Sequence, residues 1–184
     1  MAFVVVYDAC VLHDSLLRDL LIRLARKRKL NLQARWSEPI LDEMVRSILA
    51  RRPDLEPDRL ARTRQLMCNA IPDCLVIGFE ALIEGLDLPD PGDRHVLAAG
   101  IAAGAQVIVT YNDRHFPRAV LRPFNIEAQH PDEFLVSLFD LDQATVREAF
   151  TELVGCLTRP PSTYIDVIAA LRRRGLIRTA QRLG

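Results

Sequence analysis

The stretch Phe3-Val4-Val5-Val6-Tyr7-Asp8 decides how the rest of the chain is read. Five apolar β-branched or aromatic residues in a row show no polar alternation. They predict a strand covered on both faces, as in the middle of a parallel sheet. Asp8 follows at the carboxyl end of that strand. Beyond it, Leu16, Leu17, Leu20, Leu21 and Leu24 recur at helical spacing, and Arg26-Lys27-Arg28-Lys29 closes this helix where cations suit its dipole. Residues 32–36 can form a second strand. Ser37-Glu38-Pro39 reads as a helix start, with a capping serine and an early proline. Ile40, Leu41, Met44, Val45, Ile48 and Leu49 form its apolar stripe, and Pro53 stops it.

An amphipathic helix is predicted over residues 58–69 and a brief third strand over 75–77. After the turn Leu88-Pro89-Asp90-Pro91-Gly92, an alanine-rich helix spans 93–103 and ends at Gly104. Val107-Ile108-Val109 is the centre of another buried strand, 106–110, and residues 126–129 can form an edge strand. Strands alternate with helices, which predicts a three-layer α/β/α domain with a central parallel sheet over residues 1–135. From Asp132 onward the pattern is purely helical. Asp142 can cap one helix, Arg159-Pro160-Pro161 breaks the chain, Ser162 can cap another helix and Gly175 can interrupt it. Residues 136–184 therefore read as a small helical extension.

The chain of 184 residues is nearly half apolar, enough for one well-packed domain, and its formal net charge is zero. Global charge thus points to neither nucleic acid nor membrane, and any polyanionic partner must be met by local patches. Two exist: Arg23, Arg26, Lys27, Arg28, Lys29 and Arg35, and then Arg159, Arg172, Arg173, Arg174, Arg178 and Arg182. Each reads equally as a surface for a phosphate backbone or as a solvated helix face. Cys10, Cys68, Cys74 and Cys156 have neither C-x-x-C nor zinc-like spacing, which suits free thiols in a reducing compartment. No basic n-region opens the sequence and no apolar run approaches a membrane span, so the expected location is the cytoplasm.

In open α/β sheets, ligands bind at the carboxyl ends of parallel strands. Asp8 lies just past the first strand, Asn112 and Asp113 just past the strand at 107–109, and Asp93 opens the helix leading into it. At about a hundred degrees per residue, Glu43 falls at the border of its helix's apolar stripe, next to Ile40. From there a carboxylate can lean over the sheet edge. Carboxylates packed together repel unless they take up protons or meet a cation, and Mg²⁺ or Mn²⁺ prefers such oxygen donors. A divalent ion can acidify a water and stabilise charge on a phosphate. Plainer readings stand beside this one: Asp8 as a loop acid, Glu43 as a helix former, Asp93 as a helix cap and Asp113 as a turn residue. His95 and His115 read either as neighbours of the site or as locally bonded residues. Trp36 and Phe116 read as core or as base-stacking groups.

The segments Val6-Tyr7-Asp8-Ala9-Cys10-Val11-Leu12, Ile40-Leu41-Asp42-Glu43-Met44-Val45-Arg46 and Leu88-Pro89-Asp90-Pro91-Gly92-Asp93-Arg94-His95-Val96-Leu97-Ala98-Ala99 resemble three successive motifs of PIN domains. Val109-Thr110-Tyr111-Asn112-Asp113-Arg114-His115-Phe116-Pro117 resembles the fourth. The third and fourth are similar to the VapC-type toxin branch, and the stretch Leu157-Thr158-Arg159-Pro160-Pro161 with the final basic helix resembles the helical extension of a VapC-like subgroup. The resemblance implies a Mg²⁺- or Mn²⁺-dependent endoribonuclease that hydrolyses RNA phosphodiesters with a metal-activated water. It also implies a cognate antitoxin and a homodimer. Asp8, Glu43 and Asp93 match the family's metal-binding acids, and Thr110 its hydroxyl residue. The fourth acidic position falls on Asn112, which offers a carbonyl oxygen without charge, with Asp113 adjacent.

That departure leaves an alternative, a PIN fold that binds RNA or protein without cutting. A phosphatase of the haloacid-dehalogenase kind also places an aspartate after its first strand, but needs a second one two residues on, where this chain has Cys10.

Overall fold

The computed structural model describes residues 2–158 and 160–184. Four parallel strands form one sheet: β1 (Phe3–Tyr7), β2 (Leu32–Arg35), β3 (Val107–Val109) and β4 (Glu127–Gln129), in the spatial order β2-β1-β3-β4. The helices in chain order are α1 (Ala9–Leu12), α2 (Ser15–Arg26), α3 (Glu38–Arg51), α4 (Pro57–Ala70), α5 (Glu80–Ile83), α6 (Arg94–Ala103), α7 (Arg118–Leu121), α8 (Pro131–Cys156), α9 (Tyr164–Arg173) and α10 (Ile177–Leu183). This is the three-layer α/β/α arrangement expected from the alternating pattern, with further helices at the C-terminal end.

The apolar run behaves as its composition requires. Val5, Val6 and Tyr7 are completely buried, and Tyr7 stacks on Trp36 with ring centroids 6.5 Å apart and meets Phe134 edge-on at 6.2 Å. Trp36 and Phe116 are thus core residues. Local chemistry sets the helix ends. Asp14 accepts the Leu17 N–H at 2.9 Å to start α2, and Ser37 accepts that of Ile40 at 3.4 Å to start α3. Gly104, at φ +62°, turns α6 into β3, a conformation only glycine adopts at little cost.

Residues 75–77 are not a strand. Only Leu75 bridges to Trp36, through Trp36 N to Cys74 O at 2.9 Å and Val76 N to Trp36 O at 2.8 Å. Left-handed backbone at Asp73 and Gly78 turns the chain away on either side.

α8 bends where Asp142 leaves helical geometry, and that side chain caps the second half by accepting the Thr145 N–H at 2.9 Å. The 135/136 division falls in the first half of α8, whose Phe134 and Leu135 are buried in the main core. That core is continuous with Leu171, Leu176 and Leu183 of the C-terminal helices. Thr163, rather than Ser162, caps α9, because Asp166 three residues on completes a reciprocal capping box. Gly175, at φ +79°, separates α9 from α10. Arg159 of the expected chain break lies outside the described residues. Among the described residues no helix is long and apolar enough to cross a membrane.

Candidate metal centre

The register of β1 against β3 builds the site. Tyr7 stands level with Val109, so the next residues, Asp8 and Thr110, emerge side by side at the carboxyl edge. The Asp8 N–H donates to Val109 O at 3.1 Å, and the Thr110 hydroxyl donates to Asp8 Oδ2 at 2.7 Å. The Cys10 thiol donates to the same oxygen at 3.1 Å. Asp8 occupies the N-cap position of α1 but makes no capping bond with its side chain. The carboxylate is turned to the site instead. It is 2% exposed. Burial pushes its carboxyl above the ordinary aspartate range; the Thr110 and Cys10 bonds oppose this, and the Glu43 charge adds to it.

Asp93 repeats the device. It stands at the N-cap of α6, again without a side-chain capping bond, and its Oδ2 accepts His115 Nδ1–H at 2.7 Å. An ionised carboxylate only accepts, so Nδ1 of His115 carries the proton. Burial raises the Asp93 carboxyl too, the His115 bond lowers it, and the charges of Asp8 and Asp90 raise it further. Asp90, Asp93 and His115 bring one ligand atom each within 4.8 Å of one another. Glu43, half-buried on α3, accepts His95 Nε2–H at 3.3 Å. Glu43, Asp93, Asp90, His95 and Arg46 line a cleft of about 470 Å³.

The charge of Glu43 acts on Asp8 and that of Asp8 on Asp93, yet among the described residues the group whose ligand atoms come within 4.8 Å of one another is Asp90, Asp93 and His115, without Asp8 or Glu43. Asn112 and Asp113 are exposed at the start of a 3₁₀ turn. The Asn112 N–H donates to Thr110 Oγ1 at 2.9 Å, which ties its loop to the Asp8 network. Neither the Asn112 amide nor the Asp113 carboxylate makes a hydrogen bond or ion pair among the described residues. The two histidines that sequence left ambiguous each bond a candidate ligand. Cys10 and Asp90 were missed. Cys10 resembled an inert core thiol, and Asp90 a turn residue, which it also is, since it accepts the Gly92 N–H at 2.8 Å.

Two buried carboxylates without a lysine or arginine partner among the described residues are an uncompensated arrangement. Their donor set is oxygen, with hydroxyl, thiol and imidazole groups in support. It fits a hard divalent cation such as Mg²⁺ or Mn²⁺, for which Asp8, Glu43 and Asp93 could serve as ligands.

The basic patches fall in different places. The run at 26–29 lies at the edge where the strands begin, away from Asp8, because α2 returns along the sheet to the start of β2. Two of that patch's cations are paired, Lys27 with Glu148 and Glu152 and Arg23 with Asp19. In the C-terminal patch, Arg174 pairs with Asp14 and Arg182 with Asp140. Arg172, Arg173 and Arg178 are exposed.

Comparison with known proteins agrees with this geometry. Residues 4–114 match the family model described as PIN domain, and residues 131–184 match that of the VapC50 C-terminal domain. The protein described as "Putative ribonuclease VapC50" from Mycobacterium tuberculosis (strain ATCC 25618 / H37Rv) is 36% identical over 103 residues, which are 56% of this chain and 60% of that protein. The chain thus spans about three fifths of the length of this curated relative. No solved structure matches the chain. With the first match covering more than half of its length, the chain belongs to the PIN-domain family.

Proposed function

We propose that the chain is a Mg²⁺- or Mn²⁺-dependent endoribonuclease that acts in the cytoplasm as the toxin of a toxin–antitoxin pair. The observation that carries this reading is the pair of buried carboxylates Asp8 and Asp93, neither with a lysine or arginine partner among the described residues, with Glu43 lining a cleft with Asp93. In this reading Asp8, Glu43 and Asp93 hold the ion, and the Asn112 carbonyl oxygen assists, with Asp113 as the neighbouring donor. A divalent ion there supplies a water acidic enough to act near neutral pH and offsets phosphate charge.

The protein's own groups do the rest. His115 and His95 keep Asp93 and Glu43 oriented through single hydrogen bonds. Arg46 lines the cleft and makes no ion pair among the described residues, so it can hold an RNA phosphate. Residues 1–135 carry the nuclease site in this division of labour. Residues 136–184 form the helical extension, with Arg172, Arg173 and Arg178 available to the RNA backbone. A cognate antitoxin and a second copy of the chain complete the expected partners.

The test is RNA cleavage with and without Mn²⁺. The wild-type chain should cut only with metal, and Asp8→Asn or Asp93→Asn should abolish cutting. Equal cleavage by all three proteins would refute the proposal. Asn112, an amide at the fourth position, motivates the second reading, a PIN fold that binds without cutting. Calorimetry separates the two, since no Mn²⁺ binding at millimolar concentration would favour the binding module.

A further inference from the structure

The C-terminal helices reach the loops of the metal centre through Arg174. Its Nε donates to Asp14 Oδ2 at 2.7 Å, and its Nη1 to Ala170 O at 2.9 Å. Its own carbonyl accepts the Tyr111 hydroxyl at 3.2 Å. Asp14 is fixed in turn, because its other oxygen caps α2. Tyr111 is also held from the side, edge-on to His130 with centroids 5.0 Å apart.

The main chain of Tyr111 lies inside the Asp8 network. Its N–H donates to Cys10 Sγ at 3.2 Å, and that thiol donates to Asp8 Oδ2 at 3.1 Å. Thr110, the residue before, gives Asp8 its other donor, and Asn112 is the residue after. A ring tethered at its hydroxyl restricts its own backbone. That backbone sets where both donors to Asp8 stand. A one-ångström drift at such a centre matters, because ligand groups act only within a narrow geometry.

We propose that the C-terminal extension is a positioning element for the metal centre, with Tyr111, clamped by Arg174, holding Cys10 and Thr110 against Asp8. The Arg174–Asp14 ion pair fixes where the clamp stands. The extension thereby acts on the site without supplying a ligand. The proposal rests on the metal-dependent nuclease reading.

The test uses the full chain, with Mn²⁺ as the probe. Tyr111→Phe keeps the ring and removes only the hydroxyl. Asp14→Asn keeps a helix-capping side chain and removes the charge that Arg174 meets. Mn²⁺ affinity by calorimetry is read beside kcat, KM and the urea midpoint. Mn²⁺ binding should weaken roughly two- to tenfold in Tyr111→Phe, the range of one neutral hydrogen bond. The kcat should fall with KM for RNA unchanged. Arg174→Lys should retain more affinity than Arg174→Ala. The double variant Tyr111→Phe/Asp14→Asn should lose less than the two single losses combined, because both cut one link.

A lowered urea midpoint with unchanged Mn²⁺ affinity would make the clamp merely structural and overturn the proposal, as would strict additivity. If the wild-type chain neither binds Mn²⁺ nor cuts RNA, the nuclease reading fails and this inference with it. A wild type that does both, beside a Tyr111→Phe variant equal to it, overturns this inference alone.

Discussion

Replacing Asp8 with asparagine should stabilise the metal-free chain while removing its activity. Asp8 is 2% exposed and has no lysine or arginine partner among the described residues. A buried, uncompensated charge costs several kcal/mol of hydration even after relaxation. Asparagine keeps a carbonyl oxygen for Thr110 and Cys10, and loses only the difference between charged and neutral acceptors, about 1 kcal/mol. Its amide N–H₂ adds a donor to be satisfied. The net gain should be about 1–2 kcal/mol, the usual size when a functional residue is traded for stability. For a chain of this length that is roughly 2–8 °C in Tm.

The pH dependence has a definite sign. Asp8 has a folded pKa raised above the unfolded value of 3.8. Its favourable contribution is therefore fully present below pH 3.8 and is lost as pH rises through the raised folded value. The gap between variant and wild type should close in acid and open toward neutrality. Mn²⁺ should reverse the order, because binding to the folded state alone adds about 2.7 kcal/mol at a hundredfold excess over Kd, and the variant cannot collect it. Urea melts in EDTA and in Mn²⁺, across pH, read all of this. An Asp8→Asn chain less stable than wild type by about 1 kcal/mol or more in EDTA at pH 7 would refute the reasoning.

Other substitutions test separate parts. Thr110→Val removes the donor to Asp8 and strands the Asn112 N–H; stability should fall by about 1–3 kcal/mol in urea melts and Mn²⁺ affinity should fall with it. Asn112→Asp adds a charge to the proposed ligand set, so calorimetry should find tighter Mn²⁺ binding while the metal-free Tm drops. Asp113→Ala should leave Mn²⁺ affinity as it was if Asn112, rather than its exposed neighbour, assists the ion. Asp132, 7% exposed, accepts the Arg178 and Thr179 N–H groups at 3.0 and 2.8 Å. Asp132→Ala should cost about 2–4 kcal/mol by chemical denaturation, the sum of two charge-assisted bonds at a helix start.

The strands were legible where burial alone dictates their composition. Phe3–Tyr7 and Val107–Val109 admit no other reading, and their parallel register brings Asp8 and Thr110 together without further information. Residues 75–77 look equally apolar and are not a strand, because left-handed backbone at Asp73, not composition, turns the chain there. Asp8, Glu43 and Asp93 could be nominated as candidate ligands from their places in the pattern. Their supports could not, since His115, His95 and Cys10 owe their roles to contacts across 22, 52 and 2 positions that no periodicity encodes. The two basic runs looked alike in sequence; the return path of α2 separates the first from the site.

The strand order has a consequence for how the chain is made. β1 emerges first yet stands inside the sheet, between β2 and β3. β2 pairs with it once residue 35 has been synthesised, whereas the partner for its other side spans residues 107–109. Throughout that interval Val5, Val6 and Tyr7 present an open apolar edge, the kind that recruits strands from other chains. Closing it is the long-range, slow pairing of the fold. A chain that ends before β3 should therefore be adhesive, because that side of β1 is left without its partner strand.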